Sequence, residues 1–186
     1  MTLSDADILF AIKSTKAIVI HPFNPDQLQP ASYDLTLGPE ILSYKRRGRW
    51  GADKPIPHLR DHLLMDAETI SSAWDFVLEP GMFVLGATAE RIEVPANMSA
   101  KLEGKSSIAR VGVFVHVTAG FIDPGFKGQI TIEMYNASPI PRRLRLGDRI
   151  AQIAFQMLSS TAHRPYGHKD LGSRYQNQIG TTPTRQ

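Results

Sequence analysis

The residues of this sequence that could carry chemistry are two carboxylates and a group of hydroxyl and cationic side chains. Glu133 belongs to a segment, 129–135, in which apolar Ile130, Ile132 and Met134 alternate with polar side chains. Period-two alternation predicts a half-buried strand, because successive side chains point to opposite faces. Glu133 is therefore predicted to lie on the polar face of a rigid element, where a carboxylate can be held for proton transfer.

A second carboxylate and a cationic run lie upstream of this segment. Asp123 precedes a Pro-Gly turn, and the run 105–110 holds two cations and two hydroxyls. Together these residue types would suit chemistry on a phosphorylated polar substrate. For any one of them alone, a solvated strand face or a basic loop is the alternative interpretation.

The composition favours one globular domain and excludes several kinds of site. The chain has 186 residues, a formal net charge of +3 and no cysteine. This length is ordinary for a single domain with a real core, so we predict one domain over 1–186. The absence of cysteine excludes disulfides, thiol nucleophiles and thiolate metal sites. The basic cluster 45–50 is interpreted as a solvated loop rather than a nucleic-acid site, and the basic surplus suits a polyanion such as a nucleotide.

The sequence carries no membrane or export signal. No apolar run approaches the ~18 residues that a membrane-spanning helix needs. Residues 1–5 lack the basic and then apolar form of a signal peptide. We therefore expect a cytoplasmic protein without a membrane partner.

Helix and strand signals predict a mainly β fold. Ser4 is predicted to cap a short helix that ends near 14–15, and 31–38 alternates like a strand closed by a glycine turn. Further short strands are predicted between Gly and Pro turns at 76–78, 83–85, 92–94, 100–103, 113–115, around Glu133, at 143–146 and at 150–157. Many short strands with almost no helix favour a β-sandwich or jelly roll. Residues 45–72 are predicted to form a long excursion, and 160–186 a mobile tail that could order over a ligand.

Five segments, in order, resemble the motifs of dCTP deaminases in the dUTPase superfamily. They are 30–35 (Pro-Ala-Ser-Tyr-Asp-Leu), 105–110 (Lys-Ser-Ser-Ile-Ala-Arg), 118–126 with 132–133, 147–152 (Gly-Asp-Arg-Ile-Ala-Gln), and 164–166 with 174–178. The resemblance implies a distorted jelly-roll β-sandwich that assembles as a homotrimer with active sites at the subunit interfaces. It also implies deamination of dCTP as its magnesium complex, without zinc. The zinc-dependent deaminases need a motif with cysteine ligands, and this chain has none.

The same resemblance implies roles for individual residues. Glu133 would move protons from the water that attacks C4 to N3 and to the departing ammonia. Ser106 and the Ala119 carbonyl would hold this water, and Arg110 would support the site from a neighbouring subunit. Asp123 would hydrogen-bond the sugar 3′-hydroxyl. The implied substrate-binding residues are Lys105, Ser107, Ile108, Ala109, Gly120, Phe121, Thr131, Ile132, Gln152, Tyr166, Arg174 and Gln178. No protein metal site is implied, because magnesium would be held through the triphosphate.

The segment Gly120–Asp123 bears on whether one reaction occurs or two. Its Gly-Phe-Ile-Asp sequence departs from the His-Arg-Ile-Asp pattern of deaminase-only bacterial enzymes and resembles the bifunctional, dUMP-forming deaminases. By this resemblance, Asp123 would also orient a second water towards the α-phosphorus, and magnesium would aid the pyrophosphate leaving group. We therefore predict dUMP as the product, with a deaminase that releases dUTP as the alternative.

Other interpretations stay open on the sequence alone. A simple dUTPase shares most of the motifs, but such enzymes have an apolar residue where this chain has Glu133. A non-enzymatic nucleotide-binding module is disfavoured because the catalytic set named above is intact. The resemblance does not decide between a trimer and a hexamer, and it suggests inhibition by dTTP. His116, in the apolar run 111–117, is interpreted as a core or interface histidine rather than a catalyst.

Overall fold

The computed structural model describes residues 1–46, 65–71 and 75–183 of the chain. Its helices are α1 (Asp5–Lys13) and α2 (Ser106–Ala109), and a 3₁₀ turn spans Pro25–Gln27. Its strands, in chain order, are β1 (Val19–His21), β2 (Leu28–Gln29), β3 (Ser32–Thr36), β4 (Ile41–Arg46), β5 (Met65–Ser71), β6 (Asp75–Leu78), β7 (Phe83–Glu93), β8 (Met98–Gly104), β9 (Val113–Phe114), β10 (Phe121–Ile122), β11 (Lys127–Asn136), β12 (Arg142–Arg145) and β13 (Arg149–Met157).

The strands form two antiparallel sheets that share one core. The larger sheet has the order β5-β4-β7-β11-β9, with β1 also paired to β7, and the second has the order β10-β8-β13-β3-β2. A separate ribbon pairs β6 with β12. Fully buried side chains from both sheets meet in the core, among them Ile132 and Met134 of β11 and Ile153 and Phe155 of β13. The predicted fold class, a mainly β jelly-roll sandwich with a short N-terminal helix, is confirmed.

The N-terminal helix forms where its capping signal predicts it. The Ser4 hydroxyl accepts a hydrogen bond from the Asp7 amide at 3.3 Å, and the Asp7 carboxylate accepts one from the Ser4 amide at 3.2 Å. This reciprocal capping box satisfies two amide groups that the first turn of a helix leaves unpaired. The helix then buries Ile8, Ala11 and Ile12 against the core.

Strand β11 has the predicted alternation. Ile130, Ile132 and Met134 are buried, while the side chains between them are half-buried on the opposite face. Because one face is apolar and the other polar, the strand has a single orientation in which its apolar side chains leave water. That orientation places Glu133 on the face away from the core.

Strand β7 differs from the prediction, because the predicted strands 83–85 and 92–94 are joined, up to Glu93, into one long strand rather than two short ones. It pairs with β11 on both sides of an irregularity, where the register shifts between Gln129 and Thr131. The hydroxyl of Thr88, which is fully buried, accepts the Ile130 amide at 2.9 Å and donates to the Glu90 carbonyl at 2.7 Å. Thr88 thereby satisfies backbone groups that the irregular pairing leaves out of the ladder.

The sequence patterns also miss several other elements, among them β1, β2, β4 and β10, the helix α2 and the strand β5. The short helix α2 occupies part of the cationic run 105–110, which has no helical periodicity of its own. Strand β5 lies within the predicted excursion 45–72 and pairs with β4. Residues 45–46 of the excursion belong to β4, and residues 47–64 and 72 lie outside the described residues.

Candidate active site

Glu133 lies in a cleft of about 530 Å³ on the outer face of the larger sheet. The cleft gathers seven of the predicted site residues: Ala119, Phe121, Asp123, Thr131, Glu133, Tyr166 and Gln178. Strand β11 contributes Thr131 and Glu133, and the turn before it contributes Asp123. The cleft therefore brings the two predicted catalytic carboxylates to one cavity.

The Glu133 carboxylate is anchored at one oxygen. Its Oε2 accepts hydrogen bonds from the backbone amides of Val117, at 3.2 Å, and Thr118, at 3.4 Å. Its Oε1 makes no hydrogen bond with the part of the chain that the structure describes. Across the strand pair Glu133 lies opposite Leu85, a buried apolar neighbour. One oxygen is thus fixed by the backbone while the other is available for proton transfer in the cleft.

Asp123 is exposed at the mouth of the cleft and is held by a tight turn. The Phe126 amide donates to the Asp123 carbonyl at 3.2 Å, and Gly125 adopts a φ of +90°, which favours glycine. A Cβ added at Gly125 would lie 2.7 Å from the Cβ of Pro165. The turn at Asp123 therefore fits closely against the start of the C-terminal tail.

The C-terminal tail closes one side of the cleft. The Tyr166 amide donates to the Pro124 carbonyl at 2.7 Å, and the Tyr166 hydroxyl accepts the Tyr175 amide at 3.0 Å. Gln178 is buried, and its side-chain amide donates to the Gln129 carbonyl at 2.5 Å. Tyr166 and Gln178 therefore both line the cleft.

A second chamber, of about 400 Å³, adjoins the cleft. Asp123, Tyr166 and Tyr175 line both cavities, and Arg164 and Arg174 line the second chamber. Arg174 is a predicted substrate-binding residue and Arg164 is not. Two guanidinium groups beside one chamber make it suitable for an anion such as a phosphate.

Several predicted residues do not line the cleft. Those of the run 105–110 lie on or beside α2, where Ser106, Ser107, Ala109 and Arg110 are exposed and Ile108 packs partly against the core. The Lys105 ammonium pairs with the carboxylate of Asp34, and this buried carboxylate also lies 3.8 Å from a guanidinium nitrogen of Arg149. Gln152 accepts a hydrogen bond from the Ser32 hydroxyl at 3.2 Å. A second polar group therefore lies at the other sheet, away from the cleft; its members are Ser32, Asp34, Lys105, Arg149 and Gln152.

Gly120 and Ile132 sit where a side chain has no access to ligand. A Cβ added at Gly120 would lie 2.7 Å from the Leu102 carbonyl oxygen and 3.2 Å from Nδ1 of His116. Ile132 is fully buried in the core. Any contact that these two positions make with a ligand must come from their backbone.

The described histidines do not line the cleft. His116 is partly buried, and its Nε2 lies 3.5 Å from the carboxylate of Glu103. Within residues 1–46, 65–71 and 75–183, no group of three or more His, Cys, Asp or Glu side chains is arranged to hold a metal ion.

In the part of the chain that the structure describes, two groups outside the cleft have shifted pKa values. Burial raises the pKa of Tyr33; the nearby carboxylates of Glu90 and Asp34 act in the same direction, against the Asn24 amide and Arg149. Burial alone would raise the pKa of Glu93 as well. Hydrogen bonds and positive charge from Arg91 and Lys127 outweigh burial, so the pKa of Glu93 is lowered.

One wall of the cleft is lined by residues that the sequence patterns do not single out. Tyr44 and Phe83 line it with their rings stacked, 6.3 Å between centroids, and Leu85 and Thr182 complete this side. Phe83 is exposed in the structure although it is aromatic, and the apolar run 83–85 gives no sequence signal that this side chain faces the cleft. Thr182 has no sequence signal either, because it reaches the cleft only through the path of the tail.

None of the described helices is long and apolar enough to cross a membrane.

A family model and individual related proteins place the sequence in the same family. Residues 2–158 match the family described as dCTP deaminase-like. A protein of Dictyoglomus turgidum named "dCTP deaminase, dUMP-forming" is 43% identical over 187 residues, covering 100% of this chain and 94% of that protein. A protein of the same name from Thermobifida fusca is 40% identical, covering 100% of this chain and 92% of that one.

A solved structure agrees with the fold. The crystal structure of 2′-deoxycytidine 5′-triphosphate deaminase from Agrobacterium tumefaciens matches with a TM-score of 0.62 and 28% sequence identity. The match covers 84% of this chain and 48% of that one, so this chain spans about half of the solved chain.

Proposed function

Since the chain belongs to the dCTP deaminase-like family, we propose that it hydrolyses dCTP to dUTP and ammonia and then hydrolyses dUTP to dUMP and pyrophosphate. The observation that carries this proposal is the cleft that holds Glu133 and Asp123 together. The two relatives compared above, which match along the whole chain, are both named as dUMP-forming.

Glu133 carries the first reaction. A water molecule attacks C4 of the cytosine, and Oε1 of Glu133, the oxygen not bonded to the Val117 and Thr118 amides, takes one of its protons and delivers it to N3. The same carboxylate then takes the second proton from the new C4 hydroxyl and delivers it to the amino group; the C4–N bond breaks and ammonia leaves. The backbone amides of Val117 and Thr118 keep the carboxylate in place, so the contribution is one of positioned general acid–base catalysis. The carbonyl of Ala119, which also lines the cleft, supplies an acceptor for the attacking water.

Asp123 carries the second reaction. It lies where the cleft meets the second chamber, so a deoxynucleotide with its base at Glu133 would present its sugar and phosphates near Asp123. A second water attacks the α-phosphorus, the bond to the bridging oxygen breaks, and pyrophosphate leaves. The close packing around Gly120 admits no side chain; this agrees with a Gly-Phe sequence, rather than His-Arg, before the Ile122–Asp123 pair.

The chain acts on the magnesium complex of the nucleotide. Magnesium prefers phosphate oxygens and water to an all-protein cage, and it would neutralise the triphosphate and aid the pyrophosphate leaving group. Arg174 is assigned to the phosphates, with Arg164 beside it in the second chamber, and Lys105, which lies away from the cleft of its own chain, would meet the phosphates bound by a neighbouring copy. Ser106, Ser107, Gln152 and Gln178 would add hydrogen bonds.

The active assembly is proposed to be a homotrimer. Ser106 and Arg110 are exposed and do not line the cleft of their own chain. A second copy of the chain would bring them to Glu133, which supports active sites built from two neighbouring subunits. The exposed aromatic ring of Phe114, stacked on Tyr135 at 6.4 Å beside the cleft-bearing strand, supports burial of this surface in the assembly.

Three further expectations belong to the same proposal. The tail, 160–186, opens to admit substrate and closes over it; in the closed form the Tyr166 amide donates to the Pro124 carbonyl and the Gln176 side chain to the Gly125 carbonyl, both in the turn at Asp123. The nucleotide dTTP, which shares the deoxyribose triphosphate of the substrate but lacks the amino group, is expected to bind and inhibit. The cytoplasmic location stays an expectation from the sequence.

The proposal is tested by the stoichiometry of products. Incubation with dCTP and magnesium should release ammonia and pyrophosphate in equal amounts, with dUMP as the nucleotide. Ammonia without pyrophosphate would leave a deaminase that stops at dUTP. Pyrophosphate from dUTP but no ammonia from dCTP would leave a simple dUTPase and remove Glu133 from its role.

A further inference from the structure

The last described residues of the tail form hydrogen bonds with the body of the molecule, and Glu40 accepts two of them. After Gln178, the tail turns at Gly180, which has a φ of +69°. The Gly180 amide donates to the side chain of Gln129 at 2.6 Å. The next residue, Thr181, donates its amide to the Glu40 carboxylate at 2.8 Å and its hydroxyl to the Glu40 carbonyl at 2.8 Å.

The geometry around Glu40 is specific to the tail. Thr181 is buried, so if the carboxylate were removed its amide would have neither that acceptor nor water to replace it. A charged acceptor makes a stronger hydrogen bond than a neutral one. Among the described residues, no cation pairs with Glu40. A Cβ added at Gly180 would lie 3.1 Å from the Glu40 carboxylate, so the turn brings the tail backbone close to this side chain.

The tail residues on both sides of this contact line the cleft. Gln178 precedes Thr181 and Thr182 follows it, and both share the cleft with Glu133. Gln178 is joined to the first residues of β11 through the Gln129 amide and carbonyl, at 3.0 and 2.5 Å. Glu40 adds a fastening point at the far end, beside β4. Without it, the tail would be held only from one side of the residues that wall the cleft.

We propose that Glu40 is a positioning residue, a latch that holds the C-terminal tail closed so that Gln178 and Thr182 complete the nucleotide-binding cleft. It touches no reacting atom and acts through the tail. The proposal rests on the proposed function only in its nucleotide readout, since the closure of the tail can be measured without substrate.

The first test measures closure in the free protein. Trypsin can cut the tail after Lys169 and Arg174, whose side chains are exposed, but only when the hydrogen-bonded backbone around them opens to enter the protease. Cleavage there should be about tenfold faster in Glu40→Ala, because opening frees the tail for proteolysis, and Glu40→Gln should restore slow cleavage because it keeps an acceptor oxygen. Glu79→Ala, at an exposed glutamate whose side chain makes no described contact, is the matched control and should be cut like the wild type.

The second test measures the nucleotide. In Glu40→Ala the KM for dCTP should rise about tenfold while kcat changes little, because the closed form becomes less populated before binding. Thr181→Val, which removes only the hydroxyl bond to Glu40, should shift both readouts in the same direction by less. Cleavage and KM like those of the wild type in Glu40→Ala would overturn the latch. If the wild type failed to turn over dCTP, the proposed function would fall, while the cleavage rates would still decide whether Glu40 holds the tail.

Discussion

At the scale of single residues, the account depends on how Glu133 and Asp123 are held. Glu133 is fixed through one oxygen by two backbone amides, on a strand whose opposite face is packed in the core. Asp123 is exposed but belongs to a turn that the tail covers. The two carboxylates therefore have different surroundings within one cleft, which suits different roles.

Replacing Glu133 by glutamine should stop deamination. Glutamine keeps the size of the side chain but cannot carry protons between water, N3 and the leaving amino group. Ammonia release from dCTP should fall by about 10²–10⁴-fold, while calorimetry should still detect nucleotide binding. Ammonia release near the wild-type rate in Glu133→Gln would remove this residue from the proton-transfer role.

Replacing Asp123 by asparagine should separate the two reactions. Ammonia release should persist and pyrophosphate release should fall by at least about tenfold, because the amide cannot orient the second water as a carboxylate does. Asp26→Asn, at an exposed aspartate of the 3₁₀ turn, serves as the control and should retain both products. Pyrophosphate release at the wild-type rate in Asp123→Asn would show that another group directs the second water.

The sequence predicts the inner wall of the cleft better than its rim. Thr131 and Glu133 could be placed on one face because strand alternation is a local property. Tyr44 and Thr182 could not be placed there, since each reaches the cleft through strand pairing or tail docking with residues far away in the chain.

At the scale of elements, the register of β11 against β7 sets where the face that carries Glu133 lies. Thr88 maintains the irregular pairing by bonding to the Ile130 amide and the Glu90 carbonyl. The sequence does not predict that β7 is continuous, because residues 86–89 are small and show no clear alternation. Pairing along the whole of β11 makes them one strand, and this is a long-range effect.

Replacing Thr88 by valine should therefore destabilise the protein. Valine has nearly the same shape but leaves a buried amide and a buried carbonyl without their partner, at a cost of about 1–3 kcal/mol. Urea unfolding should show this loss. Thr15→Val, at an exposed residue whose hydroxyl bonds can be replaced by water, should change stability by less than about 0.5 kcal/mol. Equal stability of the two variants would mean that the hydroxyl of Thr88 is not needed at the irregularity.

The ion pairs of Glu93 should make the free energy of unfolding depend on pH in the acidic range. The pKa of Glu93 lies below its ordinary value of 4.5 in the folded chain. Its contribution is therefore complete above that value and is lost as the pH falls through the lowered pKa. The difference in free energy of unfolding between the wild type and Glu93→Gln should shrink as the pH is lowered from about 7 to about 3. A difference that stayed constant over this range would contradict the assigned ion pairs with Arg91 and Lys127.

At the scale of the whole molecule, the fold and the family follow from sequence, whereas the complete active site does not. The capping box of Ser4, the alternation of β11 and the Gly and Pro turns are local signals that predict a mainly β sandwich. The path of the tail over the cleft depends on backbone and polar contacts, which leave no apolar pattern to detect. The run 105–110 lies away from the cleft, and no pattern within one chain indicates which copy it would serve.

Mixing two inactive variants should restore activity if the sites are shared. Glu133→Gln lacks the proton carrier and Arg110→Ala lacks the supporting cation, so each homotrimer should be inactive. After the two variants are unfolded and refolded together, about a quarter of the sites in randomly mixed trimers would combine an intact Glu133 with an intact neighbouring Arg110. Mixed refolding should therefore recover about a quarter of wild-type ammonia release. No recovery, with mixed trimers verified by mass spectrometry, would place both residues in the same chain's site.

The central claim is that one cleft performs both hydrolyses before the nucleotide leaves. The most direct test is to supply labelled dCTP and magnesium together with a large excess of unlabelled dUTP. If dUTP is an intermediate that stays bound, the label should pass to dUMP with little label in the dUTP pool. Label that accumulates in free dUTP would mean that the first product is released, and the proposed two-step reaction within one cleft would be wrong.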